Sequence, residues 1–133
     1  QWLMLQQDLP EDFVIASGRT ETVRKFVEIC ANFLGWGQDN QGNSITWEGT
    51  GLNEIGKRVD NNQIVIKIDP RYYRPTEVDL LKGDSQKAHD KLGWKPKISL
   101  EDLIKEMIDF DLENTQSELK LLEKGSNINL LKD

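Results

Sequence analysis

Phe13-Val14-Ile15-Ala16-Ser17-Gly18-Arg19-Thr20-Glu21-Thr22-Val23-Arg24-Lys25-Phe26-Val27-Glu28-Ile29-Cys30-Ala31-Asn32-Phe33-Leu34-Gly35 decides the fold class. Phe13–Ala16 is a short apolar run between acidic residues and a glycine, which predicts a buried strand. Gly18 opens a turn, and Thr20 or Thr22 can cap the helix that follows. Val23, Phe26, Val27, Cys30, Phe33 and Leu34 fall on one helical face, and Gly35 ends it. Arg24 sits in the first turn, off that face. Helix dipoles disfavour a lone cation there and favour an anion, so a strand, a glycine turn and a helix start with an arginine can form a phosphate site. A solvated charge is the plainer alternative for Arg24.

Outward from this unit the pattern changes. Upstream, Gln1–Gln7 has good helix formers and no cap, and reads as the end of a helix stopped by Asp8-Leu9-Pro10. An uncapped start leads us to expect a piece of a longer protein. Downstream, Gly35–Asn43 reads as a loop and Ser44–Glu48 as a strand. Glu54–Val59 and Gln63–Ile68 flank Asp60-Asn61-Asn62 as a hairpin, with Ile64, Ile66 and Ile68 on one face. Val78–Leu81 reads as a further short strand. Lys82–Ser85 begins a helix through Leu92, which Gly93, Trp94 and Pro96 terminate. Ser99 and Asp102 resemble a capping box ahead of a helix over 100–113. A separate last helix is expected from Asn114, and Gly125–Asp133 is expected to fray. The whole predicts an α/β (or α+β) fragment, a small mixed sheet with flanking helices.

Between hairpin and helices lies Arg71-Tyr72-Tyr73-Arg74-Pro75-Thr76-Glu77. Pro75 fixes its own φ and biases Arg74 towards extended backbone. A fixed arginine can fork onto a phosphate, and a fixed carboxylate can accept from two hydroxyls, so Arg74 and Glu77 would suit a sugar nucleotide. On spacing alone a surface ion pair beside a strand is the plainer reading of the two.

Composition narrows the partners. The 133 residues are 37% hydrophobic and 30% charged, with net charge −6. Residues 1–99 hold 13 basic and 14 acidic side chains, and residues 100–133 hold 4 and 9. The acidic tail argues against a nucleic-acid partner, and an anion site must therefore be local. No apolar run approaches the ~20 residues that cross a bilayer, and no signal-peptide pattern appears. A lone cysteine, Cys30, agrees with a reducing, cytoplasmic setting and sits on an apolar face suited to packing. The single histidine, His89, has no second ligand nearby, so no metal site is expected. Neither a P-loop nor G-x-G-x-x-G occurs, and neither Tyr72 nor Tyr73 is followed four residues later by lysine. No catalytic acid–base pair is proposed.

The run Tyr72–Leu81, with Gly83-Asp84, Lys87-Ala88 and Leu92-Gly93-Trp94-Lys95-Pro96, resembles the C-terminal part of the GDP-mannose 4,6-dehydratase family. Trp2-Leu3-Met4-Leu5-Gln6, Asp12–Ala16, Val23–Val27, Trp47-Glu48-Gly49 and Asn53-Glu54-Ile55-Gly56 fit the same family. The L-G-W-x-P ending is common to many extended short-chain dehydrogenases, whereas the Tyr-Tyr-Arg-Pro-Thr-Glu-Val-Asp run is specific. Residues 1–113 carry the resemblance as the substrate-binding portion. Residues 114–133 match nothing and read as an acidic, partly helical tail; residues 35–43 are richer in glycine and asparagine than the family pattern.

The resemblance implies a two-lobed cytoplasmic enzyme that forms homo-oligomers through the other lobe. Its Rossmann lobe, absent here, binds NADP and supplies the catalytic residues. The reaction oxidises the sugar at C4, removes water across C5 and C6, and returns the hydride to C6, giving GDP-4-dehydro-6-deoxy-D-mannose, a precursor of GDP-fucose. By position, Arg24 and Arg74 would hold the diphosphate and Glu77 the ribose hydroxyls. This chain would then bind GDP-mannose, hold no cofactor and be inactive alone. The alternatives are another nucleotide-sugar epimerase or dehydratase, or a non-catalytic interaction module.

Overall fold

The computed structural model describes residues 1–74 and 81–123. Along the chain lie α1 (Trp2–Leu5), α2 (Val23–Phe33), β1 (Ile45–Glu48), a 3-10 turn (Gly51–Asn53), β2 (Ile55–Arg58), β3 (Ile64–Lys67), α3 (Gln86–Leu92) and α4 (Leu100–Glu123). The expected α/β fragment of small sheet and flanking helices is present. Among the described residues the sheet is wholly antiparallel, in the order β1-β2-β3.

Helix α2 starts where its cap dictates. Thr22 accepts from the Lys25 amide through its hydroxyl at 3.0 Å. At its other end Gly35, at φ 69°, takes the left-handed turn. The Gly35 amide donates to the Asn32 carbonyl and the Trp36 amide to the Ala31 carbonyl, a Schellman pair. Gly93, at φ 64°, ends α3 with a single 5→1 bond to the His89 carbonyl, and the Trp94 amide reaches Ala88. The expected glycine–tryptophan stop is there, with the simpler αL cap.

The core is small. Ile29 and Ala31 of α2, Ile45 of β1, Ala88 of α3 and Ile104 of α4 are buried. Helix α4 packs across α2. Ser44, also buried, has its hydroxyl satisfied at Asn32 and the Gly37 carbonyl, so it sits inside without a desolvation penalty. Cys30 is half-buried, and burial pushes its thiol pKa up, as expected of a packing residue.

The hairpin forms as predicted. Asn62 adopts φ 59° at its tip, a conformation that asparagine tolerates, and the Gln63 amide donates to Asn61 Oδ1. A register shift lies at Gly56/Lys57. Gly56 pairs with Trp47 on one side and Ile66 on the other. A Cβ at position 56 would stand 2.9 Å from Ile66 Cδ1 and 3.1 Å from the Trp47 ring. The missing side chain thus makes the room into which the indole settles.

Three expectations fail or fall elsewhere. Phe13–Ala16 is not a strand: it makes no ladder among the described residues, and Val14 and Ile15 are 53% and 49% exposed. Val14 and Ala16 both face Gly83, whose Cβ would meet Ala16 Cβ at 2.6 Å. Gly83 therefore packs against the side chains of 13–16, where a larger residue would not fit. Side chains hold the segment instead: Lys87 donates to the Asp12 carbonyl at 2.9 Å, and Lys87 and Lys91 both pair with Glu11. Secondly, no new helix starts at Asn114; α4 runs unbroken through Glu123. Neither glycine nor proline occurs between Ser99 and Gly125, and the polar Asn114–Ser117 run weakens a helix without breaking it. Thirdly, the strand predicted over Val78–Leu81 lies largely outside the described residues, as does the expected fraying of 125–133.

At the start of α4 the Ser99 hydroxyl accepts from the Asp102 amide at 3.0 Å and donates to Asp102 Oδ2 at 2.6 Å. This is a shortened capping box, because aspartate reaches the hydroxyl and not the Ser99 amide. Arg19 forks onto Glu101 with two 2.9 Å bonds and also donates to Glu21, tying the turn before α2 to α4.

Candidate functional site

The first turn of α2 holds no acidic residue, so the positive end of its dipole meets the guanidinium of Arg24 uncompensated from within the helix. Compensation comes from the sheet. Arg24 Nη2 donates to Glu54 Oε1, from the residue just ahead of β2. The guanidinium carbon lies 4.3 Å from the centre of the Trp47 ring. Trp47 is in turn held by its indole N–H, which donates to Glu28 Oε1 at 3.1 Å one helical turn after Arg24. Lys25 and Glu28 form a looser pair at 3.8 Å.

Arg24 is therefore neither free nor closed off. Its charge lies over an indole, a favourable position for a guanidinium. Among the described residues Nη2 is the one Arg24 nitrogen with a partner, which leaves Nη1 and Nε able to donate. The amides of Val23 and Arg24 also lack partners among the described residues.

The structure places the predicted site residues unequally. Arg24 stands at the helix start, as expected. Arg74 is exposed, two residues beyond a turn in which Arg71 pairs with Asp69 at 2.6 Å. Glu77 lies outside the described residues, so its position relative to either arginine is not described. Sequence reading gave neither Glu54 nor Trp47 a role at the site. Alternation in Ser44–Glu48 put Trp47 on a strand, yet only the β1–β2 register sets it beside the α2 start.

A groove of about 790 Å³ opens between the turn before α2 and the start of α4, lined by Val23, Phe26, Ile98, Leu100 and Leu103 among others. It includes neither Arg24 nor Arg74. Its walls are mainly apolar, unlike those a diphosphate needs. His89 Nδ1 lies 3.1 Å from Asp90 at the surface of α3. Among the described residues no cluster of three His, Cys, Asp or Glu side chains is arranged for a metal ion, and no helix is long and apolar enough to cross a membrane.

The sequence model of the GDP-mannose 4,6 dehydratase family matches residues 1–107. The chain belongs to the GDP-mannose 4,6-dehydratase family. Human GDP-mannose 4,6 dehydratase is 47% identical over 112 residues, which cover 84% of this chain and 28% of that protein. The Drosophila melanogaster protein of the same name is 42% identical over 112 residues. GDP-mannose 4,6-dehydratase of Yersinia enterocolitica is 39% identical over an alignment of 140 residues, covering 98% of this chain and 36% of that protein. The chain thus spans little more than a third, at most, of these GDP-mannose 4,6-dehydratases. Arg24, Trp47 and Glu54 all fall within the matched span.

Proposed function

We propose that this chain is the substrate-binding portion of an NADP-dependent GDP-mannose 4,6-dehydratase, the lyase that yields GDP-4-dehydro-6-deoxy-D-mannose. Arg24 and Arg74 bind the diphosphate, and Glu77 accepts from the ribose hydroxyls. Residues 1–113 carry this role, and 114–133 form an acidic appendage. The full enzyme works in the cytoplasm as a homo-oligomer.

The observation that carries the reading is Arg24: a guanidinium at a helix start, over an indole, with donors to spare. Phosphate suits it because two parallel N–H groups match two phosphate oxygens. The helix end adds backbone donors and a favourable dipole. Arg74 adds a second cation on backbone that Pro75 restricts, so little freedom is lost on binding.

The dehydratase chemistry needs a hydride carrier, and the described residues do not fit one. The turn ahead of α2 has a single glycine, its Arg19 is engaged by Glu21 and Glu101, and no strand ladder precedes it. A dinucleotide cradle needs strand, glycine turn and helix together. NADP and the acid–base residues are therefore assigned to the rest of the enzyme, and this chain alone should not turn over GDP-mannose.

Hydrogen bonds to charged groups are worth about 1.5–3 kcal/mol each. In the full-length enzyme, Arg74→Ala should weaken GDP binding by roughly ten- to a hundredfold. Glu77→Gln keeps an acceptor and should lose less. NADP affinity should not move in either variant. Calorimetric titration with GDP and with NADP tests this, and unchanged GDP affinity in Arg74→Ala would return Arg74 and Glu77 to a surface ion pair.

A further inference from the structure

Two arginines of this fold lie on tryptophans and meet a carboxylate, and they differ in one respect. Arg58 lies over Trp36, its guanidinium carbon 4.8 Å from the ring centre. It forks onto Asp60, Nε to Oδ1 at 3.0 Å and Nη2 to Oδ2. That fork closes one edge of the guanidinium with two bonds. It joins residues two apart in one hairpin and ties Trp36, the residue after the α2 stop, to the sheet. Arg24 lies closer to its tryptophan, at 4.3 Å, yet meets Glu54 through Nη2 alone. Three elements converge on it: α2, β1 and the residue ahead of β2. Trp47 is braced twice, by Glu28 behind and by the vacancy above Gly56 beneath. Glu54 is fixed by its own turn: Gly49, at φ 80°, lets the chain fold back until a Cβ there would meet the Asn53 carbonyl at 2.4 Å. A structural ion pair has no use for so much bracing on a side chain whose outer edge stays open.

We propose that Trp47 and Glu54 are positioning residues for Arg24. The indole sets the plane of the guanidinium, and the carboxylate sets its rotation within that plane. The N–H groups that Glu54 leaves open, on Nε, Nη1 and the second hydrogen of Nη2, then face an anion already oriented. This rests on the proposal that Arg24 binds phosphate. Its consequence is that diphosphate recognition reaches into the sheet, to residues that do not touch the ligand.

The test uses the full-length enzyme and GDP titrations. Arg24→Ala comes first. If it leaves GDP affinity unchanged, the phosphate role of Arg24 falls and the positioning role with it. If Arg24→Ala weakens binding, Trp47→Leu should weaken it roughly three- to thirtyfold, the range of a cation–π contact. Trp47→Phe should restore most of the loss. Glu54→Gln, which keeps an acceptor but loses the charge, should weaken binding up to about threefold. Each loss should vanish in the Arg24→Ala background, because a residue acting through Arg24 has nothing left to position. Trp36→Leu, which disturbs the other pair, should lower thermal stability without moving GDP affinity. If the Trp47 and Arg24 losses simply add, or if Glu54→Gln binds GDP more tightly, the positioning role is wrong while the phosphate role stands. Should Trp47→Leu fail to fold, Glu54→Gln decides alone by the same coupling.

Discussion

Glu11 is a surface residue that two lysines claim at once, Lys91 at 2.5 Å and Lys87 at 2.9 Å. The hydrogen bond from Lys91, then that from Lys87, lowers its pKa from the ordinary 4.5 to about 2. A lowered carboxylate pKa means stability that is present above pH 4.5 and is lost as pH falls towards 2. Wild type should therefore be more stable than Glu11→Gln at neutral pH, and the two should converge as pH falls to about 2. Thermal unfolding of both proteins from pH 7 to pH 2 checks this; a constant gap would mean that the two lysines do not act through the Glu11 charge. Arg24 was legible as a candidate because helix period and cap fix its place in the first turn. Trp47 and Glu54 were not. Their roles depend on which face of a strand meets which turn of a helix 20 or 30 residues away, and no local pattern encodes that. Charge pairs such as Arg19 with Glu101 are likewise invisible in sequence, since any of 17 cations could pair with any of 23 acids.

At the level of elements, the helices and the hairpin followed from caps, glycine stops and alternation, because each depends on neighbours in sequence. Phe13–Ala16 misled because an apolar run says only that side chains want cover, and here other side chains supply part of it. Thr22→Ala removes the hydroxyl that accepts from Lys25 and should cost about 1 kcal/mol, measured by urea unfolding. Gly56→Ala is the more telling variant. Its methyl would press on Ile66 and on the Trp47 ring, both within 3.1 Å. Small-to-large changes in tight sites cost about 1–3 kcal/mol. Pushing the indole should also blue- or red-shift tryptophan emission. A Gly56→Ala protein with unchanged stability and unchanged emission would mean that the room above Gly56 is slack.

Over the whole molecule, burial is sparse and unevenly spread. Trp2 is 70% and Leu5 81% exposed, and Val23 and Ile98 on the rim of the α2–α4 groove are open as well. Large exposed apolar groups of this kind mark contact surfaces, in keeping with a chain that corresponds to about a third of its relatives. Among the described residues Ile104 is the one large apolar side chain with no exposure, and it is the buried residue of α4, the helix that packs on α2. Ile104→Ala should cost about 2–5 kcal/mol by opening a cavity, whereas Leu103→Ala, at a half-exposed position, should cost clearly less. Chemical denaturation of both variants would separate them, and equal losses would mean that α4 is not anchored through Ile104. The α2–α4 contact has a temporal consequence. Helix α2 ends at Phe33 and its cover begins at Leu100. A ribosome adding roughly 5–20 residues per second needs about 3–14 seconds to make the chain between them. Throughout that interval the sheet can close, because β1 to β3 are sequence neighbours, while the face of α2 that packs on α4 waits uncovered in a crowded cell. We predict that nascent chains halted before residue 100 are cleaved in α2 by an added protease and that chains extended past α4 resist it; protection of the shorter chains would show that α2 finds other shelter first.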